Sequence, residues 1–187
     1  MPPEGVPCHA VYFYRHLDEL SRTVGGFVAD GFGLDQPAIL LARPEVCDGI
    51  ERTLVRLGVD VEAEERHARL VVADAVATLE SISIDGRLDG NRAHAVIGGL
   101  LNRLPVATNG ATVRFYGEMA GMLWRAGRYV EALELEDVRT AWNTRYGVMM
   151  LCGYSSLDRA ERSSHDAICT FHSHLLSDTG QLEAILL

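Results

Sequence analysis

The chain contains no lysine; all 17 of its basic side chains are arginine. A phosphate-binding loop of the G-x-x-x-x-G-K-[ST] kind needs its lysine on the β/γ-phosphates, so that site is excluded. Schiff-base chemistry on a lysine is excluded with it. Cysteine is scarce. Four stand at positions 8, 47, 152 and 169, with no C-x-x-C pair. That spacing is not a disulfide framework, and it points to a reducing, cytoplasmic compartment. Long apolar runs are missing too: the longest are about six residues, against the roughly 20 that cross a bilayer. Met1-Pro2-Pro3-Glu4-Gly5 has neither a basic nor an apolar stretch, so no signal peptide is expected. Positive charge is in deficit, 17 basic against 26 acidic side chains, a net −9. Sequence-independent nucleic-acid binding works by neutralising phosphates, and this balance argues against it, a local arginine patch aside.

What is present is a globular composition. Hydrophobic residues make up 48% and charged residues 23% of 187, enough for one domain with a real core. His9 to Tyr14 (HAVYFY), Pro37 to Ala42 (PAILLA), Leu70 to Ala73, Thr112 to Tyr116 and Val148 to Cys152 (VMMLC) read as buried strands. Between them, helices are predicted over 17–32, 44–57, 61–68, 74–81, 91–104 and 129–146. Val130, Leu133, Val138 and Trp142 supply much of the apolar face of the 129–146 helix. Ser83 to Gly90 reads as a turn-rich loop and Ser163 to Leu176 as a final helix. Strands that alternate with helices and lack a polar face imply an α/β three-layer sandwich with a mainly parallel sheet. Ligands in such folds bind beyond the carboxyl ends of the strands.

Strand, helix, strand over His9 to Arg43 resembles the opening of RecA/KaiC-type ATPases. Tyr14-Arg15-His16-Leu17-Asp18 stands where those enzymes carry the phosphate loop, and it has neither glycine nor lysine. A closer likeness rests on four motifs in order: His9-Ala-Val-Tyr-Phe13-Tyr14, Ala38-Ile-Leu-Leu-Ala42-Arg-Pro-Glu45, Val113-Arg-Phe-Tyr-Gly117-Glu118-Met119 and Leu151-Cys152-Gly-Tyr154. Together they resemble the MEDS family, a sensory domain named for methanogens, methylotrophs and a dichloromethane-responsive regulator. The resemblance covers residues 8–176, with 177–187 as a C-terminal tail; Ser155 to His174 matches it poorly. It implies a RecA-like fold without a functional phosphate loop, sensing a small, hydrocarbon-derived ligand without hydrolysing nucleotide.

The candidate ligand-binding residues are His9, Tyr14, Glu118, Trp124, Cys152 and Tyr154. An imidazole titrates near neutrality. A carboxylate buried after Gly117 needs a partner, with Arg15, Arg43 and Arg125 as candidates. Cys152 and Tyr154 flank Gly153, and Met119, Met122, Leu123 and Trp124 could wall an apolar pocket. His9 opens its strand whereas Cys152 and Glu118 close theirs, which sets His9 at the opposite end of a parallel sheet. His165, Cys169 and His172 fall on one stripe of the predicted last helix and have metal-ligand side chains, although the spacing is not a known zinc pattern. The sequence names no cofactor.

Three functions follow. The first is a non-catalytic small-molecule sensor in signalling or transcription regulation, acting on a protein partner such as a kinase or regulator, or on a second copy in a homo-oligomer. The second is a cysteine/histidine-dependent enzyme acting on a small molecule. The third is a ligand-free oligomeric scaffold. The incomplete catalytic set and the resemblance favour the first.

Overall fold

The structure is a computed structural model. It describes residues 8–104, 112–156, 162–177 and 180–185. The lead-in before Cys8, Pro105, Leu186 and Leu187 lie outside the described residues, as do the side chains of Trp142 and His165.

The chain begins β1 (Cys8–Tyr14), α1 (Leu17–Gly33), β2 (Ala38–Ala42), α2 (Pro44–Arg56), α3 (Val61–Arg66) and β3 (Leu70–Asp74). It continues with α4 (Ala75–Ser81), β4 (Ser83–Ile84), β5 (Arg87–Leu88), α5 (Gly90–Leu101), β6 (Val113–Gly117) and α6 (Met119–Arg125). It ends with α7 (Tyr129–Tyr146), β7 (Val148–Ser155), α8 (Arg162–Thr170), β8 (His174–Leu176) and β9 (Leu182–Ala184). Seven strands form one sheet in the order β3-β2-β6-β7-β1-β8-β9. All neighbours are parallel except β8 and β9.

Local chemistry sets the boundaries. Pro44 opens α2 with a ring that already has helical φ. Asp74 and Asp89 cap α4 and α5 by accepting from the Val76 and Arg92 amides at 2.7 and 2.8 Å. Gly147 ends α7 in the left-handed region. The central strands are apolar on both faces because helices cover both. Cys8, Ala10, Tyr12, Leu40, Tyr116 and Leu151 pack under α1 and α2. Val11, Ile39, Phe115, Met150, Cys152 and Tyr154 pack under α4 to α8.

Four expectations change. Residues 163–176 are not one helix: α8 stops at Thr170, and His174–Leu176 pairs with β1. The Ser173 amide donates to the His9 carbonyl at 2.8 Å, which commits this segment to the sheet. The tail supplies β9, which extends the sheet edge. Ser83 to Leu88 closes as a small hairpin, with Asp85 and Gly86 both at positive φ. Finally, α7 buries Ala132, Leu135, Glu136 and Arg139, while Val130 is 70% exposed.

α6 approaches β7 so closely that a Cβ on Gly121 would land on the Gly153 carbonyl oxygen. The Gly153 backbone is fixed by its pairing in the sheet, and α6 can retreat only by lifting its buried Met119, Ala120, Leu123 and Trp124 from the core. Gly121→Ala is therefore expected to cost about 2 kcal/mol or more in urea unfolding. Gly99→Ala in α5, where a Cβ meets nothing within 4 Å, should be neutral or slightly stabilising.

Candidate functional site

β1 and β7 pair with His9 opposite Met150. Side chains two residues apart on a strand share a face, so His9 and Cys152 meet diagonally. β7 runs on to Ser155, which places Cys152 mid-strand and removes the separation that the sequence implied. His9 Nε2 lies 3.2 Å from Cys152 Sγ and 3.2 Å from Glu136 Oε2. Arg139 donates from Nη1 to Cys152 Sγ at 3.1 Å, and Tyr154 donates to Glu136 Oε1 at 2.6 Å. His172, just past α8, packs against His9 with ring centroids 4.2 Å apart and the planes tilted by 44°. Its Nε2 is 3.8 Å from Glu136 Oε2.

This cluster has no solvent. Glu136, Arg139 and Cys152 are all 0% exposed. Burial alone would lower the His9 pKa; the Cys152 and Glu136 charges outweigh it and raise it. Burial and Glu136 push the Cys152 thiol up, but Arg139 and His9 win and hold it below its ordinary value. Burial opposes the Glu136 charge as well, yet Arg139, His172 and His9 keep its carboxyl well below the usual range. The charges are mutually dependent, as burial requires. Cys47, in contrast, is pushed up to about 12 by burial and by the carboxylates of Glu118, Glu51, Asp48 and Asp74.

Glu118 builds a second network at the carboxyl edge. Its Oε1 accepts from the Arg43 amide at 2.6 Å and from Arg43 Nε at 2.7 Å. Arg43 is thus the partner among the three candidate arginines. Arg125 donates instead to the Tyr14 hydroxyl at 3.3 Å. Gly117 pairs with Cys152, so Glu118 lies one residue beyond the level of Cys152, and the two belong to separate networks. Trp124 is buried, 4.8 Å from the Tyr129 ring centroid and 6.3 Å from that of Tyr154. The two-residue turn before α1, where a phosphate loop would stand, has its donors engaged. Glu19 Oε2 accepts from the Arg15 and His16 amides at 3.2 and 3.4 Å.

The opposite face of the sheet carries a ligand-sized space. A cavity of about 510 Å³ opens between α1 and the β8–β9 edge. Phe27, Gly26, Thr23 and Arg22 of α1 line it, with Tyr12, Arg114, Leu176 and Leu182 from the sheet. Arg114 is 2% exposed. Its Nε donates to Gln36 Oε1 at 2.8 Å, its guanidinium sits 4.8 Å over the Phe27 ring, and its buried Nη2 has no hydrogen-bond partner. None of the six candidate ligand residues lines this cavity.

A family model described as MEthanogen/methylotroph, DcmR Sensory domain matches residues 8–174. The chain belongs to the MEDS family. No curated protein matches the sequence. Among solved structures, a KaiC-like protein from the archaeon Pyrococcus horikoshii OT3 superposes with a TM-score of 0.59 at 12% identity, covering 90% of this chain and 71% of that one. Another P. horikoshii protein, crystallised with an unknown peptide, gives 0.62 at 14% identity, covering 95% and 83%. The MEDS chain therefore has a KaiC-like, RecA-type α/β fold. No helix among its described residues is long and apolar enough to cross a membrane.

Sequence reasoning on this MEDS chain missed Glu136, Arg139 and Arg114. Glu136 and Arg139, three apart on a helix, look like a solvated ion pair. Arg114 did leave a signal, a charge inside the otherwise apolar V-R-F-Y strand, which is costly unless the charge has a partner or a task. The expected His165, Cys169 and His172 stripe does not hold as one helical face, because α8 ends before His172. His172 joins His9, Glu136 and Cys152 instead.

Proposed function

We propose that the domain is a non-catalytic sensor that binds a small organic molecule in the α1-side cavity and passes its state to a protein partner. The observation that carries this is Arg114, a buried guanidinium with an unsatisfied Nη2 at the wall of a ligand-sized cavity. Binding sites are mostly apolar spaces with a few placed polar groups. An acceptor or acidic group on the ligand would complete the Arg114 hydrogen bonds, and an apolar body would rest on Phe27, Leu176 and Leu182. A short hydrocarbon-derived acid or carbonyl compound has that chemistry. Leu176 and Leu182 belong to β8 and β9, so occupancy would steady the sheet edge. The outer side of β9 is a strand edge on which a second copy, a kinase or a regulator could dock.

An enzyme reading is favoured by one observation, the Cys152 thiol held beside an imidazole with its pKa depressed. Its burial at 0% exposure weighs against it, since a nucleophile must touch substrate.

Gly26 offers the test. It lines the cavity, and a Cβ there meets nothing within 4 Å. Gly26→Leu should fill the space while the helix keeps or gains stability, up to about 1 kcal/mol. Native mass spectrometry of the purified protein, and thermal shifts against a panel of short organic acids, should show binding that the variant loses at least tenfold. Identical binding by Gly26→Leu would move the site elsewhere.

A further inference from the structure

We propose that His9, Glu136, Cys152 and His172 form a buried tetrahedral site for a divalent transition-metal ion of the Zn²⁺ class. This site lies on the opposite face of the sheet from the cavity and does not depend on it. One ligand atom from each residue falls within 4.8 Å of every other. Ligands at 2.0–2.3 Å from a tetrahedral ion stand about 3.3–3.8 Å from one another. Here His9 Nε2 is 3.2 Å from both Cys152 Sγ and Glu136 Oε2. Glu136 Oε2 is 3.6 Å from Cys152 Sγ and 3.8 Å from His172 Nε2.

The tautomer of His172 is the second observation. Its Nδ1 is 2.7 Å from the Ile168 carbonyl. A carbonyl only accepts, so Nδ1 carries a proton, and in the neutral imidazole Nε2 is the nitrogen that offers a lone pair. That lone pair faces the cluster, is fully buried and has no hydrogen-bond partner. Without a metal its charged neighbour is Glu136 Oε2 at 3.8 Å, beyond hydrogen-bond reach; a metal would use it directly. This is the arrangement that orients metal-bound imidazoles, with the second ring nitrogen donating to a fixed acceptor. His9 is held differently, by its strand and by a tilted ring contact with His172, and its Nδ1 has no hydrogen-bond partner.

The outer groups fit as well. Tyr154 donates to the distal oxygen of Glu136, which leaves Oε2 for the ion. Arg139 donates to Cys152 Sγ, a role that a metal thiolate keeps. One thiolate and one carboxylate offset the two charges of a divalent cation with both imidazoles neutral, and the buried Arg139 guanidinium leaves the cluster at +1. The mixed sulfur, nitrogen and oxygen set selects a borderline ion over Mg²⁺ or Ca²⁺. The site is sealed, so loading would accompany folding.

The test uses the full chain stripped with a chelator, then loaded with Co²⁺ or Zn²⁺ both by refolding and by native incubation. We expect one Co²⁺ per chain, with the intense tetrahedral d–d bands and thiolate charge-transfer absorption, displaced by Zn²⁺. Cys152→Ser should lose the charge-transfer band, and Cys169→Ser should keep it. Tyr154→Phe should keep the spectrum and weaken Zn²⁺ binding 10–100-fold in chelator competition. Absence of stoichiometric metal after either loading route would overturn the site. So would a cobalt spectrum unchanged in Cys152→Ser. If Cys152→Ser does not fold, Tyr154→Phe decides: unaltered Zn²⁺ affinity there overturns the site.

Discussion

Glu136→Ala is expected to destabilise the metal-free domain by about 3–5 kcal/mol, the usual cost of leaving a buried charge without its partner. Whole domains are stable by only about 5–15 kcal/mol, so much of the variant would be unfolded at 37 °C. Glu136 is 0% exposed, and its partners include Arg139, Tyr154 and His9. Arg139 lies 3.5 Å from Oε1, Tyr154 donates to Oε1, and His9 lies 3.2 Å from Oε2. Truncation leaves the Arg139 guanidinium with Cys152 as its hydrogen-bond partner among the described residues, with Nε and Nη2 already unsatisfied. The remedy is to remove the second charge as well. Glu136→Leu combined with Arg139→Leu should recover more than half of the loss, because neither charge is then left buried without the other. Urea unfolding of the single and double variants with chelator present measures this coupling. Additive losses would mean that the two charges do not neutralise each other.

That stripe also shows where sequence reading stops. The five central strands were legible because a sheet covered on both faces leaves continuous apolar runs such as V-Y-F and A-I-L-L-A. The motifs that carried the family resemblance survive for the same reason: they are the strands and their carboxyl turns. The buried face of α7 was not legible. Hydrophobic pattern favours Val130, Leu133 and Val138, whereas the helix turns Glu136 and Arg139 inward because Cys152, Tyr154 and His9 are there to receive them. Those receivers come from strands far apart in sequence, brought together by the parallel register of β1 and β7. Cys152 and His9 could each be named beforehand; their meeting could not. The segment around β8 failed for a related reason. Ile168, Phe171 and Leu175 keep helical spacing, and only the open edge of β1 decides that the last of them belongs to a strand.

Removing residues after Leu176 is expected to abolish ligand binding in the cavity and to lower stability by about 2–4 kcal/mol. β9 is held to β8 by strand pairing, by the Ser177 amide donating to the Gln181 carbonyl at 2.8 Å and by the Ile185 amide donating to the Ser173 carbonyl at 3.0 Å. Leu182 packs against the α1-side core and Ile185 against the other. Two half-buried aliphatic side chains and a few hydrogen bonds account for that magnitude. Gly180 and Leu182 are also part of the cavity wall, so the truncated protein would present an open groove in place of a cavity. The same deletion uncovers β8 as a new edge, which changes how copies or partners can add a strand. Sedimentation, partner capture and ligand binding by the truncated chain therefore test one structural claim together. Loss of ligand binding with the fold retained would tie the sensing site to the output edge through β8 and β9. Undiminished ligand affinity in the truncated chain would break that link and place the sensed molecule away from this cavity.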